Sequence, residues 1–226
     1  NNETGVLQPV GELGAAARAL GVPVHTDAAQ AVGRVPIDVD ALAVDLVTVV
    51  GHKLGAPKGV GALWVRPGLP LRPVLVGGGQ ERGLRPGTEN VASIVALGVA
   101  CRIARQDLVA RASRVAALRD RLEAILREGV PGLRVTGQGL PRLCNTLHVR
   151  FPAVTGPAVL AGASGVAAST GSACHAGTTE PSGVLTAMGL DRADALGAVR
   201  LSIGPSTTAD EIERAGRWLV EAWRAA

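Results

Sequence analysis

Lys53 is the first residue whose type and position suggest chemistry. The chain has 23 basic residues, and apart from Lys53 and Lys58 all of them are arginines. Arginine is not deprotonated in proteins, so only lysine can form a Schiff base. Lys53 follows Gly51 and His52 directly after an apolar run, and a lysine partly desolvated in a cleft becomes nucleophilic. Spacing alone leaves a solvent-exposed lysine in a glycine-rich turn as an equal alternative. We interpret Lys58 as a loop residue.

Cys174 is the second candidate, because the residues around it are small. It lies in the stretch Ser169-Thr-Gly-Ser-Ala-Cys-His-Ala-Gly177, which predicts a loop with an accessible thiol, as a reactive cysteine requires. Cys101 lies in an apolar helical pattern and Cys144 at the start of a predicted strand. Cysteines outside disulfides are commonly buried, so we interpret these two as small core residues.

Three further features are ambiguous when taken alone. Asp27 ends the apolar run 22–26, where an acid at the carboxyl edge of a parallel sheet would face a ligand crevice or merely cap the next turn. Arg200 lies inside the apolar run 198–203, and a substrate carboxylate or a structural ion pair would explain the charge. The glycines, arginines and hydroxyl of Gly77–Thr88 form a weak phosphate-binding signal.

The elements that must position these residues follow from the apolar patterns. Short runs bounded by turn residues predict strands, and longer periodic segments predict helices. The alternation in the first half favours an α/β fold with a largely parallel sheet, and we place a boundary between domains 1–100 and 101–226. The predicted strands are 22–26, 45–50, 60–65, 133–136, 145–151 and 198–203, and the predicted helices are 11–20, 91–128, 181–188 and 209–225.

Composition excludes several classes of protein. The net charge of +4 does not predict nucleic-acid binding, because the arginines alternate with acids at 111–128 and few aromatic residues are present to stack on bases. No apolar run reaches the ~20 residues of a membrane-spanning helix. Three cysteines without metal-like spacing predict neither a disulfide nor a metal site and favour a reducing, cytoplasmic compartment.

Taken together, these segments resemble the cysteine desulfurases of the class V aminotransferase branch of pyridoxal-phosphate fold type I. The resemblance implies the C-terminal part of the large parallel-sheet domain, followed by the small α/β domain with the cysteine loop. Its segments occur in family order along nearly the whole chain. They are Asn1-Asn2-Glu3, His25–Gln30, Gly51-His52-Lys53, Gly77–Thr88, Ser169–Cys174 and the strand around Arg200.

The resemblance implies a role for each cofactor residue. Lys53 would hold pyridoxal 5′-phosphate as a Schiff base and later move protons. Asp27 would pair with the pyridinium nitrogen, Gln30 with the ring hydroxyl and His52 with the phosphate, and Asn2 would also lie at the cofactor.

The resemblance also implies the substrate and partners. Arg200, with Asn2, would hold the carboxylate of L-cysteine, and Cys174 would accept its sulfur as a persulfide. Thr88 would reach the phosphate of the neighbouring subunit in a homodimer with shared sites. The sulfur would pass to an acceptor or scaffold protein for iron–sulfur cluster assembly or thiolation, with Cys174 as a transient iron–sulfur ligand.

The sequence departs from the family pattern in several places. Val50 and Pro86 stand where the family commonly has serine, which would weaken the hold on the phosphate. The N-terminal segment that cradles the phosphate and stacks a histidine on the ring is not in these 226 residues. The alternatives are therefore a selenocysteine lyase, another class V enzyme, and a non-catalytic remnant that binds only a sulfur-acceptor partner.

Overall fold

The computed structural model describes residues 1–171 and 180–226. Within these ranges the chain divides into two compact units, Pro9–Leu108 and Asn1–Gln8 together with Val109–Ala226. The division falls near residue 108, and the first eight residues group with the C-terminal part of the chain. Cys174 lies outside the described residues.

The unit Pro9–Leu108 is built on a three-stranded sheet. Its strands are β1 (His25–Asp27), β2 (Leu46–Val50) and β3 (Gly61–Val65), in that order across the sheet. Strands β1 and β2 are parallel, whereas β2 and β3 are antiparallel. The α/β class is confirmed, but this sheet is mixed rather than largely parallel. The connection 51–60 is too short for the crossover of a dozen or more residues that a parallel pair needs.

Two helices accompany this sheet within the unit. Helix α1 spans Val10–Ala19, and α2 spans Val91–Gln106 with Asn90 as its N-cap. The core is small: Ala28, Val44 and Val47 are buried. The partly buried side chains that pack on these three include Trp64, whose ring also lies under the guanidinium of Arg66 at 5.3 Å.

The second unit contains an antiparallel sheet and a larger core. Strands β4 (Arg134–Val135), β5 (Thr146–Arg150) and β6 (Ala198–Ser202) lie in that order across the sheet. Helices α3 (Leu108–Gly129) and α7 (Ala209–Ala225) contribute Leu122, Leu126, Ile212 and Leu219 to the core with the sheet. The short helices of the unit are α4 (Gly156–Gly162), α5 (Gly183–Ala187) and α6 (Arg192–Leu196).

The predicted single helix 91–128 is two helices. Helix α2 ends at Gln106 and α3 begins at Leu108, because Asp107 has the non-helical dihedral angles φ −124° and ψ 33°. The apolar and charged periodicity continues through this position, so the pattern did not indicate the break. No helix among the described residues is long and apolar enough to cross a membrane.

Candidate active site

Asp27 is the last residue of β1, and its side chain is exposed. One carboxylate oxygen, Oδ1, accepts a hydrogen bond from the backbone N–H of Ala29 at 2.8 Å. Asp27 therefore does cap the turn that follows, as one of the two sequence interpretations expected. A carboxylate needs only one of its lone pairs for this bond, so it retains further capacity to accept hydrogen bonds.

Lys53 ends the 3₁₀ turn Gly51–Lys53 that follows β2 directly. Lys53 is half-buried, whereas His52 beside it is exposed. Gly51 permits close backbone packing here, since a Cβ at this position would lie 2.7 Å from the carbonyl oxygen of Val60. Gly61 has the same relation to the carbonyl of Val49, also at 2.7 Å. These two glycines are thus required by the pairing of β2 with β3.

The turns after β1 and β2 leave the same edge of the sheet. Asp27 is in register with Thr48, and the backbone N–H of Ala28 donates to the carbonyl of Thr48 at 3.1 Å. Because the strands are parallel, their carboxyl ends point in the same direction and the residues that follow are neighbours. The structure therefore places the segments of Asp27 and Lys53 side by side.

Arg34 ties these two turns together and was missed by the sequence analysis. Its guanidinium donates to the backbone carbonyl of Gln30 at 2.8 Å and to that of Lys53 at 3.4 Å. Gly33, the residue before Arg34, has φ +75°. A Cβ on Gly33 would lie 2.7 Å from the side chain of Leu54. The only sequence signal was a single arginine in an otherwise apolar stretch.

The segment with Thr88 is exposed and irregular. Glu81 and Arg82 have the left-handed φ values 50° and 61°. Pro86 lies against Gly77, where a Cβ would come within 2.7 Å of the proline ring. Thr88 itself is exposed, two residues before the N-cap of α2. Its expected contact with a neighbouring subunit stays a prediction.

Asn2 and Arg200 lie together in the second unit. Arg200, on β6, donates from Nη1 to the backbone carbonyl oxygen of Asn2 at 2.9 Å. A tight turn presents Asn2, since the side-chain oxygen of Asn1 accepts from the backbone N–H groups of Glu3 and Thr4, both at 2.9 Å. The structure therefore brings these two predicted residues together, across nearly the whole length of the chain.

Two buried polar residues, His148 and Glu3, lie next to Arg200, and the sequence analysis missed them. His148 on β5 is opposite Arg200 in register, is fully buried, and has Nε2 3.9 Å from Oε1 of Glu3. Burial lowers the pKa of His148 to about 4, and the charges of Arg150 and Arg200 act in the same direction. The imidazole is therefore neutral near pH 7. The available signal was a histidine inside an apolar strand pattern.

The cysteines that the structure describes are Cys101 and Cys144, and neither is in a disulfide. Cys144 packs against the core of the second unit, whereas Cys101 is half-buried on α2. Among residues 1–171 and 180–226 no cluster of three or more His, Cys, Asp or Glu side chains could hold a metal ion. The predicted Cys174 loop, residues 172–179, lies outside these ranges.

The sequence matches a known family. The aminotransferase class-V family model matches residues 1–215, and the chain belongs to this family. It is 48% identical over 216 residues to the cysteine desulfurase NifS of Azotobacter vinelandii, an alignment that covers 95% of this chain and 54% of that protein. The chain thus spans about half the length of the curated relatives it matches.

Solved structures show the same fold. The NifS-like protein from Rickettsia africae superposes with a TM-score of 0.90 at 30% identity, over 99% of this chain and 60% of that one. A structure of SspA in complex with cysteine superposes with a TM-score of 0.75 at 37% identity, over 92% of this chain and 58% of that one. The fold is therefore that of the NifS-like members of the class V family.

Proposed function

We propose that this chain belongs to a pyridoxal-phosphate-dependent cysteine desulfurase, which converts L-cysteine to L-alanine and holds the sulfur on Cys174. The observation that carries the proposal is the juxtaposition of the Asp27 and Lys53 turns at one sheet edge, linked by Arg34. The 48% identity to a cysteine desulfurase and the likeness to a cysteine complex support it. Because the chain spans about half of its relatives, the activity is proposed for the whole protein.

The residues at this edge fit the cofactor. A carboxylate ends β1, an amide follows it in the next turn, and a primary amine lies in the turn after β2. These groups are suited to a pyridine nitrogen, a ring hydroxyl and an aldehyde, respectively. We assign Lys53 to the aldehyde carbon, Asp27 to the nitrogen and Gln30 to the hydroxyl oxygen, and the exposed His52 to the phosphate. Pyridoxal phosphate, when bound, supplies an electron sink that weakens the bonds to the substrate Cα.

The second unit would bind the substrate. The Arg200 guanidinium is suited to a planar carboxylate, which it can hold through two parallel hydrogen bonds. Its Nη1 already donates to the carbonyl of Asn2, so the substrate would take the remaining donors. The family resemblance assigns Asn2 to the substrate and to the cofactor as well. Holding the carboxylate fixes the direction of the cysteine side chain.

Two residues then do the chemistry. The amine of Lys53 removes the proton from Cα and later returns a proton to the product. The thiolate of Cys174 attacks the substrate sulfur, forming an S–S bond while the Cβ–S bond breaks, and the electron pair left on Cβ takes up a proton to give the methyl group of alanine. Alanine leaves, and Cys174 remains as a persulfide whose outer sulfur a nucleophile on an acceptor can take.

The partners and compartment belong to the same proposal. Thr88 would contact the cofactor phosphate of a second subunit, making a homodimer with shared sites. The acceptor would be a scaffold or carrier protein in iron–sulfur cluster assembly or thiolation, with Cys174 as a transient iron–sulfur ligand. A cytoplasmic location belongs to the proposal because three cysteines without an even-numbered framework favour a reducing compartment.

The test is an absorbance spectrum of the purified whole protein after addition of pyridoxal phosphate. We expect a visible Schiff-base band in the wild type and in Lys58→Ala, and no band in Lys53→Ala. Lys58 is the matched control because it is the other lysine of these 226 residues and is exposed. No wild-type band would overturn the assignment of cofactor binding to these residues, and a band retained in Lys53→Ala would overturn the role of Lys53.

Product analysis separates the reactions. The proposal requires alanine release from cysteine and a persulfide on Cys174, both lost in Cys174→Ala while the absorbance band remains. Selenide release from selenocysteine without turnover of cysteine would indicate a selenocysteine lyase. Amino-group transfer without loss of sulfur would indicate another class V enzyme, and a bound cofactor without turnover a non-catalytic chain.

A further inference from the structure

Glu3 is a buried carboxylate that the proposed chemistry does not use. Its exposed fraction is 1%, and it directly follows Asn2 in the N-terminal turn. Burial of a carboxylate is costly unless hydrogen bonds compensate for the lost water. The contacts of this side chain therefore show what it stabilises.

One oxygen of Glu3 holds the segment after the cysteine loop. The hydroxyl of Ser182 donates to Oε2 of Glu3 at 2.8 Å, joining residues 179 positions apart in the sequence. Ser182 is also the N-cap of α5, since its Oγ accepts from the backbone N–H of Val184 at 3.1 Å. Glu3 thus connects to the first turn of α5.

The other oxygen faces the segment before the loop. A Cβ built on Gly171 would lie 3.9 Å from Oε1 of Glu3, so Gly171 lies against the carboxylate. Gly171 is buried and is held by Ser169, whose hydroxyl donates to its carbonyl at 2.7 Å. Ser169 in turn pairs with Arg200 through an isolated β-bridge. Gly171 and Ser182, which lie on either side of the segment that contains Cys174, are therefore both close to one carboxyl group, and Ser182 is hydrogen-bonded to it.

His148 lies beside the same carboxyl group of Glu3. Oε1 of Glu3 and Nε2 of His148 are both buried without a hydrogen-bond partner among the described residues, and they lie 3.9 Å apart. The other ring nitrogen, Nδ1, lies 2.9 Å from the hydroxyl of Thr136. A neutral imidazole that accepts from Thr136 carries its proton on Nε2, the nitrogen nearer to Glu3. In that tautomer a donor lies on the side of Oε1, at a separation longer than a hydrogen bond.

We propose that Glu3 is a positioning residue that fixes residues 171 and 182, the two ends of the Cys174 segment, beside the Asn2–Arg200 pair. The importance of this placement rests on the proposed function, because the positions of residues 171 and 182 relative to the substrate carboxylate limit the distance that Cys174 must span. Glu3 acts through its neighbours and contacts no reacting atom.

Amide hydrogen exchange tests the anchoring without cofactor or substrate. In Glu3→Ala we expect about tenfold faster exchange in peptides covering 169–171 and 182–184, since the hydrogen bond from Ser182 and the packing of Gly171 beside the carboxyl group are both lost. Ser182→Ala should accelerate both peptides as well, whereas Ser182→Thr, which keeps the hydroxyl, should resemble the wild type. If Ser182 only caps α5 and does not act through Glu3, Ser182→Ala would accelerate exchange at residues 182–184 alone.

Thr208→Ala is the control for loss of an N-cap elsewhere, since Thr208 caps α7 in the same unit. It should leave exchange at 169–171 unchanged. Unchanged exchange at 169–171 in both Glu3→Ala and Ser182→Ala would overturn the proposal. If circular dichroism shows that Glu3→Ala does not fold, exchange at 169–171 in Ser182→Ala, compared with Ser182→Thr, tests the proposal by itself.

A second readout connects the anchor to activity. In the active holoenzyme, Ser182→Ala should lower kcat for alanine release several-fold while the cofactor absorbance band stays at wild-type intensity. Altered exchange with no catalysis in any variant would reject the desulfurase proposal and keep the anchor. Catalysis without altered exchange would reject the anchor and keep the desulfurase proposal.

Discussion

Arg34 donates a hydrogen bond to the backbone carbonyl oxygen of Lys53 at 3.4 Å. The same guanidinium reaches the carbonyl of Gln30 at 2.8 Å, so one side chain holds the turns after β1 and β2 together. The proposed Schiff-base lysine is thereby positioned through its backbone, in a fixed relation to the turn that follows Asp27.

The first prediction concerns this link. Arg34→Ala should lower the free energy of unfolding by roughly 1 to 3 kcal/mol, because hydrogen bonds from a charged donor to two carbonyls are lost. It should also weaken the absorbance band with pyridoxal phosphate. Arg34→Lys should not restore either property, since a single ammonium group does not reproduce the planar fork of guanidinium donors.

Urea unfolding followed by circular dichroism measures the stability change. Arg18, an exposed arginine on α1, is the matched control, and Arg18→Ala should leave both the unfolding midpoint and the band unchanged. Equal behaviour of the two alanine variants would show that Arg34 does not link the turns.

The second prediction compares two glycines in the first unit. Gly51→Ala places a Cβ 2.7 Å from the carbonyl of Val60, so it should destabilise the fold by roughly 1 to 3 kcal/mol. Gly98 lies on α2, and beyond its own helix no atom lies within 4 Å of the position that a Cβ would take. Gly98→Ala should therefore stabilise the fold by roughly 0.5 to 1 kcal/mol. Thermal unfolding checks both, and a shift of the same sign in the two variants would contradict the prediction.

The third prediction concerns acid. His148 has a pKa of about 4 in the folded protein against 6.5 as its ordinary value, because of burial and the charges of Arg150 and Arg200. The unfolded chain therefore binds more protons between pH 6.5 and pH 4, and stability falls as the pH drops through this window. The loss reaches roughly 3 kcal/mol at the acid end.

His148→Gln, which cannot titrate, isolates this contribution. Urea unfolding at about pH 7 and about pH 4.5 should show a smaller decrease in stability for the variant than for the wild type. Glu3 faces the ring at 3.9 Å, so Glu3→Gln in the same series shows how far its charge contributes. Identical pH dependence in wild type and His148→Gln would show that His148 titrates normally.

Much of the fold could be predicted from local patterns. The positions of β2 and β6 agree closely with the apolar runs, and the α/β class followed from their alternation. The break at Asp107 could not be predicted, because it does not change the apolar periodicity. The antiparallel placement of β3 also leaves the periodicity unchanged, but the short connection 51–60 already indicates it. Such features depend on backbone geometry and connection length, which a hydrophobic pattern does not contain.

The sequence by itself determined which residues can do chemistry. One of two lysines follows Gly51-His52, and an acid ends β1, so their residue types and order carry the family resemblance. Only the tertiary structure decided what surrounds them. Arg34 spans two backbone carbonyls, and Glu3 meets Ser182 from the far end of the chain, because hydrogen bonds between distant residues form only once the strands have set the distances.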